Sequence, residues 1–586
     1  MDQKRLFVAI VASLAILFGF QYLVAPHLPK PPPPAKTQVA STDGSTGTPA
    51  QKDGTPASSA ASGPGDQASL SVPANVPRVK ISAPRVAGSL SLLGARLDDL
   101  TLTGYRETLA PNSPDVRLLG PLSSDKPYFV QYGWTAAAGE TVKLPDNNTV
   151  WSASSETLSP GKPVTLSWDN GGGLTFQIKL DVDNDYMFSV QQTVKNSTDK
   201  PVSLFPWSRV RRDYKPEVAG YYVLFEGLLG VANGTLQETT YDHAKSEAEK
   251  KNGIAFEATS TSGWAGITDK YWLTALVPDQ TQSTKVFFRH LNGNGDHYQV
   301  DYITTDAQTT APGAQTDHVT HVFTGAKVVS MLSDYEKSLK IPMFDYAVDW
   351  GWFWFLTRPI FLALDYLNTL LGNFGLAILV FTVFVKGLFF PLANYSYRSM
   401  GKMKLLAPKM QALRERYKDE PQRLQQEIMG MYRAEKVNPA SGCLPLLVQI
   451  PVFFSLYKVI FVTIEMRHAP FYGWIHDLSA VDPTNVFNLF GLIPFNPALY
   501  VPLLHLGAWP LIMGVTMYLQ QKLNPPPPDP VQAKMFQFMP IIFTFMMASF
   551  PAGLIIYWSW NNTLSIGQQW LIQRRTHLGK PSLART

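Results

Sequence analysis

Two patterns of apolar residues divide this chain into a β-rich part and a helical part. Between residues 78 and 341, apolar and polar positions alternate, which is typical of strands that are buried on one face. Polar turn clusters separate these strands. The clearest strand carries apolar residues at Leu174, Phe176, Ile178, Leu180 and Val182. The pattern predicts a large antiparallel β-sandwich over residues 78–341.

Long apolar runs replace the alternation in the second part of the chain. A run of about 20 residues is long enough to cross a bilayer as a helix. Together with the N-terminal run, these segments predict an α-helical polytopic membrane protein with six spans. The predicted spans are an N-terminal transmembrane anchor within 1–28, TM2 at 372–394, TM3 at 441–466, TM4 at 503–523, TM5 at 534–550 and TM6 at 551–573.

The N-terminal run has two interpretations. Lys4 and Arg5 precede it, as in a cleaved signal peptide or an uncleaved anchor. Ala25 is followed directly by Pro26, which makes a poor cleavage site and favours the anchor. Residues 29–77 are rich in Pro, Ala, Ser and Gly, so they predict a disordered linker between the anchor and the β-sandwich.

Aromatic residues cluster in the segment 342–371, just before TM2. Trp and Phe are enriched where a membrane meets water. We therefore predict an amphipathic helix that lies on the outer leaflet. A helix buried in the β-sandwich is the alternative, but so many contiguous aromatic residues argue against it.

The placement of basic residues predicts the topology better than the formal net charge of +5. Lys and Arg crowd the N-terminus, the segment 395–440, the short loop 524–533 and the tail 574–586, whereas the loop 467–502 carries only Arg467. Basic residues favour the cytoplasmic side of a membrane. Both termini are therefore predicted in the cytoplasm and the β-sandwich on the other side.

The segment 395–440 reads as a cytoplasmic helical hairpin. Its apolar residues recur at spacings of three and four, which indicates a coiled-coil-like seam between two helices. A basic helix can also bind nucleic acid. Here Asp and Glu are interspersed among the basic residues, which favours a solvated hairpin near anionic lipid and no specific nucleic-acid partner.

Enzyme chemistry has little support in the sequence. Cys443 is the single cysteine, so neither a disulfide framework nor a cysteine-based metal site is expected. Nucleotide-binding, zinc-protease and hydrolase motifs are missing from the sequence. A carbohydrate enzyme in the β-sandwich is an alternative, but its acidic residues fall mostly in turns. We predict no enzyme activity, no cofactor and no metal.

One charged residue of the helical part, Lys386, is a candidate functional residue. Lys386 lies well inside the apolar run of TM2, where a charge costs about 2.5–3.5 kcal/mol or more and by default marks a functional site. Thr382 lies one turn earlier, on the same helix face. Mid-span positions carry no acidic residue that could pair with this lysine. Lys386 therefore either binds an acidic group of a substrate or extends its side chain toward the cytoplasmic face.

Polar residues on other spans predict a shared hydrated pocket around Lys386. TM6 is unusually polar, and Gln449 lies within TM3. Polar side chains in a span either hold helices together or line a wet cavity. One stripe of TM6 residues, four positions apart, consists of Tyr557, Asn561, Ser565 and Gln569.

Six ordered segments closely resemble the YidC family of membrane-protein insertases over about residues 373–575. They are Lys386-Gly387-Leu388-Phe389-Phe390-Pro391-Leu392, Glu435-Lys436-Val437-Asn438-Pro439, Gly442-Cys443-Leu444-Pro445-Leu446-Leu447, Trp474-Ile475-His476-Asp477-Leu478-Ser479, Gln537-Phe538-Met539-Pro540 and Phe550-Pro551-Ala552-Gly553-Leu554. The anchor, linker and β-sandwich resemble the Gram-negative members, whose periplasmic domain is a supersandwich similar to sugar-mutarotase folds.

The resemblance implies a five-helix insertase core in the bacterial inner membrane, with a groove open to the cytoplasm and to lipid. A basic residue in the groove attracts an acidic substrate tail, and the substrate's apolar segment then leaves between TM2 and TM6. Nascent membrane proteins are the implied substrates, handled alone or beside the Sec translocon, with a monomer sufficient. The implied groove residues are Lys386, Thr382, Gln449, Tyr557, Trp558, Asn561 and Ser565.

The hairpin resembles the part of the family that receives substrate and contacts the targeting machinery and the ribosome. The implied contacts are Arg398, Lys402, Lys409, Arg414 and Arg416. The chain also departs from the family pattern, because the groove charge is usually arginine and here is Lys386. Lys458 is a second basic residue in TM3, and the loop 467–502 is longer than expected. A channel or transporter for a small anion is the alternative function.

Overall fold

The structure, a computed structural model, describes residues 76–217, 224–293, 295–418, 420–435, 437, 444–494, 498, 500, 504–524 and 530–578. The predicted anchor (1–28), almost all of the predicted linker (29–77), Cys443 and the end of the predicted tail lie outside these residues.

The first part of the chain folds into two β-sheets, as the alternating pattern predicts. The strands are β1 Arg78–Ser82, β2 Val86–Ser91, β3 Arg96–Arg106, β4 Asp115–Leu119, β5 Tyr128–Ala136, β6 Ser152–Ala153, β7 Thr157–Leu158, β8 Val164–Asp169, β9 Leu174–Val182, β10 Met187–Asn196, β11 Val202–Arg212, β12 Gly227–Ala232, β13 Thr235–Thr240, β14 Ile254–Ser260, β15 Gly263–Thr268, β16 Trp272–Val277, β17 Thr284–Gly293, β18 Gly295–Thr304, β19 Gln308–Thr310 and β20 Gln315–Ala326.

The sheets pack as a sandwich. One follows the order β14-β17-β18-β11-β5-β3-β2-β1-β7, with β19 on β11 and β4 on β3, and the other follows β13-β12-β15-β16-β20-β10-β9-β8-β6. Strand β9 shows why alternation was informative. Its apolar residues, Leu174 to Val182, are buried at every second position, while the positions between them are partly or fully exposed, because successive side chains point to opposite faces of a strand.

Helices dominate the second part of the chain. They are α1 Tyr241–Lys250 within the β-sandwich, α2 Val329–Ser338, α3 Trp354–Leu371, α4 Phe374–Leu388, α5 Phe390–Arg416, α6 Pro421–Ala434, α7 Leu444–Val462, α8 Ala508–Leu523, α9 Pro530–Met547 and α10 Ala552–Leu578. Helices α3, α4, α7, α8, α9 and α10 correspond to the predicted interfacial helix and TM2 to TM6. Helices α5 and α6 form the predicted hairpin.

A bend lies inside the segment 372–394 that the sequence predicts as TM2. Helix α4 ends at Leu388, and α5 begins at Phe390 after a bend of 67°. Pro391 occupies the first turn of α5. Proline fits a first turn because its missing N–H would have no partner there, but it interrupts a helix that continues through it.

Among the described residues, no single helix is both long enough and apolar enough to cross a bilayer, whereas α4 and α5 meet this criterion as a bent pair. Shorter apolar helices cover Val448–Val462 and Ala533–Met547. The count of six spans and the segment boundaries therefore stay predictions.

The β-sandwich docks directly on the helical part. Buried apolar residues form one continuous cluster that runs from the sandwich into α3, α4, α7 and α10. Polar contacts reinforce it: Arg467 donates to the main-chain oxygen of Glu107 at 3.1 Å, and the carboxylate of Glu465 accepts from the N–H of Val329 at 3.0 Å. The two parts are therefore held in a fixed relation.

The buried side chain of Lys327, next to this junction, is expected to make the stability of the protein depend on pH. The side chain is 2% exposed and donates to Thr268 Oγ1 at 3.1 Å. Burial lowers the pKa of Lys327 to about 8, although Asp349, Asp269 and Glu226 favour its charged form. In the unfolded chain the pKa of a lysine is about 10.4. Between these values the unfolded state binds more protons, so the free energy of unfolding rises as the pH increases.

We expect urea unfolding of the full chain in detergent to show this rise between pH 8 and about 10.4. Lys327→Met, which removes the titrating group, is expected to flatten the rise and to leave stability at pH 7 unchanged or higher. Lys200→Met, at an exposed turn position, is the control. An equal alkaline rise in the Lys327→Met variant would exclude this lysine as its cause.

Candidate functional site

Lys386 lies in the last turn of α4 and reaches across to α10. Its side chain is half-buried, and Nζ donates to Ser565 Oγ at 2.8 Å. Gln568, one turn further along α10, donates to the main-chain oxygen of Lys386 at 3.4 Å. Within the described residues, no carboxylate forms an ion pair with the Lys386 ammonium, and its side-chain partner is the hydroxyl of Ser565.

Ser565 connects this lysine to the rest of the polar stripe on α10. Its hydroxyl donates to the main-chain oxygen of Asn561 at 2.8 Å and also interacts with the Tyr397 hydroxyl of α5. Ser565 is 2% exposed. Three helices, α4, α5 and α10, therefore meet at one small polar cluster beside the bend.

A second polar contact lies two turns earlier on α10. Gln449 Nε2 of α7 donates to the Tyr557 hydroxyl, and Tyr557 is buried. Asn561, which lies between the two contacts along α10, is also buried. The structure thus places Lys386 with Ser565 and Gln449 with Tyr557, two turns apart along the same helix.

Thr382 and Trp558 take different places from these pairs. Thr382 is buried, and its hydroxyl donates back to Ile378 O at 2.6 Å within α4. The Trp558 ring packs against Phe453 of α7, with ring centroids 4.6 Å apart, and against Phe543 of α9 at 6.2 Å. Trp558 therefore contacts α7 and α9.

Apolar residues close the site toward the β-sandwich. Leu456 and Ile460 of α7 and Ile555 and Ile556 of α10 are almost completely buried. A polar tail would lose its hydration in such a layer, so the layer is unfavourable for polar groups.

Helices α5 and α6 of the hairpin enclose an open cavity of about 590 Å³ just beyond the bend. Arg398, Lys402 and Arg433 line it, so its walls are strongly basic. The other predicted hairpin contacts lie elsewhere: Lys409 pairs with Glu435 at 3.0 Å, while Arg414 and Arg416 lie in the last turn of α5. Of the five, Arg398 and Lys402 are the ones that share a cavity.

Lys458, the basic residue of the predicted TM3, pairs with an acid outside the Lys386 cluster. Its Nζ pairs with Asp349 Oδ2 at 2.6 Å, and Asp349 also accepts from the N–H of Phe225. Both charged side chains are largely buried, at 8% and 16% exposure. The pair ties α7 to the segment between the β-sandwich and α3.

Sequence reasoning missed this pair and two further contacts between helices. The Asn562 amide of α10 donates to Thr516 Oγ1 of α8 at 3.3 Å, and Trp560 Nε1 donates to the Leu379 oxygen of α4 at 3.2 Å. A buried lysine requires a nearby acid, and Asp349 lies beside the aromatic residues that precede α3. The need for an acidic partner was therefore the signal in the sequence that could have predicted the ion pair between Lys458 and Asp349.

The architecture defines a class: a helical membrane-protein core with a polar cluster around Lys386 between its helices, preceded by a large β-sandwich. Residues 78–363 match the family described as "YidC periplasmic domain", and residues 366–579 match "60Kd inner membrane protein". This chain belongs to the YidC family, as its sequence motifs predicted.

Individual relatives agree over most of the chain. "Membrane protein insertase YidC" of Granulibacter bethesdensis is 62% identical over all of both chains. The protein of that name from Acidiphilium cryptum is 56% identical over 86% of this chain and 85% of its own length. A solved structure titled "Active YidC insertase crystal structure with the first transmembrane domain resolved" is 18% identical, covering 84% of this chain and 92% of its own, with a TM-score of 0.35.

Proposed function

We propose that this protein inserts other proteins into the bacterial inner membrane. Its relatives bear the name membrane protein insertase, and no relative reported above favours a small-anion channel. The observation that carries the proposal is Lys386: a half-buried cation that is hydrogen-bonded to a neutral hydroxyl and not to an acid. Such a group can exchange its partner for a carboxylate of an incoming chain without breaking an ion pair.

The substrate path follows from the distribution of charge. An acidic N-terminal tail first meets the basic cavity between α5 and α6 and then Lys386, one turn before the bend. Attraction between opposite charges speeds encounter and orients the tail. The apolar layer around Ile460 and Ile556 keeps the tail from going further until the apolar part of the substrate enters.

The substrate leaves where α4 and α10 meet. Three polar contacts join these helices: Lys386 to Ser565, Gln568 to the Lys386 oxygen, and Trp560 to the Leu379 oxygen. Hydrogen bonds of this kind contribute about 0.5–1.5 kcal/mol each. At about 25 cal/mol per Å², burial of about 200 Å² of the substrate's apolar surface in lipid yields about 5 kcal/mol, which offsets the loss of all three hydrogen bonds.

The same proposal covers topology and partners. The β-sandwich lies in the periplasm, and the hairpin and both termini lie in the cytoplasm. The substrates are nascent membrane proteins, and the hairpin faces the ribosome and the targeting machinery. A monomer suffices, alone or beside the Sec translocon, and no covalent bond is made or broken. Lipid, not nucleic acid, is the other partner.

Cysteine crosslinking to a stalled nascent chain tests this path. In a Cys443→Ser background, single cysteines replace Ser399 in the basic cavity, Thr382 in α4 and Trp558 in α10. We expect short substrates to crosslink at position 399 and longer ones also at position 382, because the tail passes the cavity first. Val319→Cys, on the exposed surface of β20, is the control. Crosslinking at 319 equal to that at 382 would refute the path.

A further inference from the structure

The loop between α7 and α8 carries an exposed apolar tip, defined here as residues 487–493. It begins in a 3-10 helix, Val486–Gly491. Leu489 and Phe490 are each 52% exposed, and Leu492 is 84% exposed. Contiguous apolar patches of this kind on a protein surface usually mark a contact with a partner or a membrane. The predicted groove residues lie outside this tip, and so do the contacts between the β-sandwich and the helices described above.

The base of the loop is fixed to the beginning of α8. The buried carboxylate of Asp482 accepts from Trp474 Nε1 at 3.1 Å and from the N–H of Trp509 at 2.9 Å. Asn485 Nδ2 donates to the oxygen of Leu504 at 3.0 Å. The tip is therefore held at the same end of the helices as the start of α8, where the β-sandwich also docks.

The backbone of the tip is held in a strained turn that satisfies its own donors. Leu489 and Phe490 have φ angles of 51° and 60°, in the left-handed region that non-glycine residues rarely adopt. The N–H groups of Phe490 and Ile493 donate to the oxygens of Asn485 and Asn488. The N–H of Gly491 donates to Asn488 Oδ1 at 2.9 Å. These hydrogen bonds satisfy polar backbone groups that would be costly to leave unpaired near lipid.

The composition of the segment favours lipid over a soluble partner. From Pro483 to Gln521 the chain contains no Asp, Glu, Lys or Arg. A protein interface would normally carry a charged or polar rim. Exposed aromatic residues lie at the same end of the helices, among them Trp352 and Trp354, and α7 joins their segment through the Lys458–Asp349 pair. Trp and Phe in this position are typical of the membrane–water boundary.

We propose that the apolar tip is seated in the outer leaflet of the bilayer, where Phe487, Phe490 and Leu492 contact lipid chains. The tip and the exposed aromatic residues before α3 then hold the outer ends of α7 and α8 at a fixed depth. This inference rests on the proposed placement of the helices in the membrane. It can fail alone, because the protein could insert substrates while its tip stays in water.

The test uses the full chain with Cys443→Ser, reconstituted in phosphatidylethanolamine and phosphatidylglycerol vesicles. Leu492→Cys carries an environment-sensitive fluorophore, and Val319→Cys on the β-sandwich carries the same label as a control. Position 492 is expected to show blue-shifted emission and strong quenching by lipids brominated on their chains, whereas position 319 shows neither. The double variant Phe487→Ser/Phe490→Ser is expected to weaken the quenching at 492.

Two outcomes would overturn the proposal. One is quenching at 492 by a water-soluble quencher to the same extent as at 319. The other is protection from both quenchers that disappears when labelled protein is diluted with unlabelled protein or lipid, which would indicate contact with a second copy. Substrate insertion, measured on the same vesicles, separates either result from failure of the proposed function.

Discussion

Lys386→Glu is expected to stop the insertion of a short single-span substrate with an acidic tail. The change replaces attraction by repulsion where the tail must dwell. Two unit charges about 4 Å apart attract by about 4 kcal/mol at an effective dielectric constant of about 20, and each 1.4 kcal/mol is about tenfold in an equilibrium. We therefore expect at least about a tenfold loss of inserted substrate in proteoliposomes, and a smaller loss for Lys386→Ala.

Matched variants separate charge from structure in this experiment. Lys386→Arg keeps the charge and is the residue usual in the family, so it should retain most activity. Lys386→Gln keeps a donor for Ser565 but removes the charge, and it should resemble the alanine variant. A substrate with a basic tail should be inserted better by Lys386→Glu than by the natural protein. Full activity of both Lys386→Ala and Lys386→Glu would end the proposed role of this residue.

Lys458→Met is expected to destabilise the junction between the β-sandwich and the helices by about 3–5 kcal/mol. Removing one partner of a buried ion pair leaves the other charge without compensation, and here Asp349 would remain largely buried beside α7. Thermal unfolding of the purified chain, together with limited proteolysis near residue 349, measures the effect. The expected signs are a lower Tm and faster cleavage.

The double variant Lys458→Met/Asp349→Asn provides the control, because it removes both charges. It should recover much of the lost stability, as replacement of a complete buried pair by neutral groups is often tolerated. Lys409→Met breaks the exposed pair with Glu435 and should change stability by no more than about 1 kcal/mol. Equal destabilisation by the single and the double variant would show that the side-chain volume of Lys458, and not its charge, matters.

The sequence predicted the two-part architecture because both patterns are local. Alternation along β9 and apolar runs along α7 and α10 reflect burial of each element by itself, so they can be read without knowing the partners. The pairing of strands into two sheets could not be read this way. It joins residues far apart in the chain, as in β11 with β18, and depends on which faces fit together.

The candidate site shows the same limit. Lys386, Gln449 and the α10 stripe were found because polar residues are conspicuous in apolar runs. Their partners were not predictable, because the sequence does not show which neighbouring helix the stripe on α10 faces. The structure was needed to pair Ser565 with Lys386 and Tyr557 with Gln449. The bend at Phe389 was also missed, because Phe390 and Pro391 continue the apolar run without a polar break.

The bend connects the long hairpin helix α5 directly to α4, the helix that carries Lys386. Helix α5 contains 27 residues, which corresponds to about 40 Å at about 1.5 Å per residue, and its pivot lies three residues after Lys386. Force applied to the far end of α5 therefore acts on the last turn of α4, which carries Lys386.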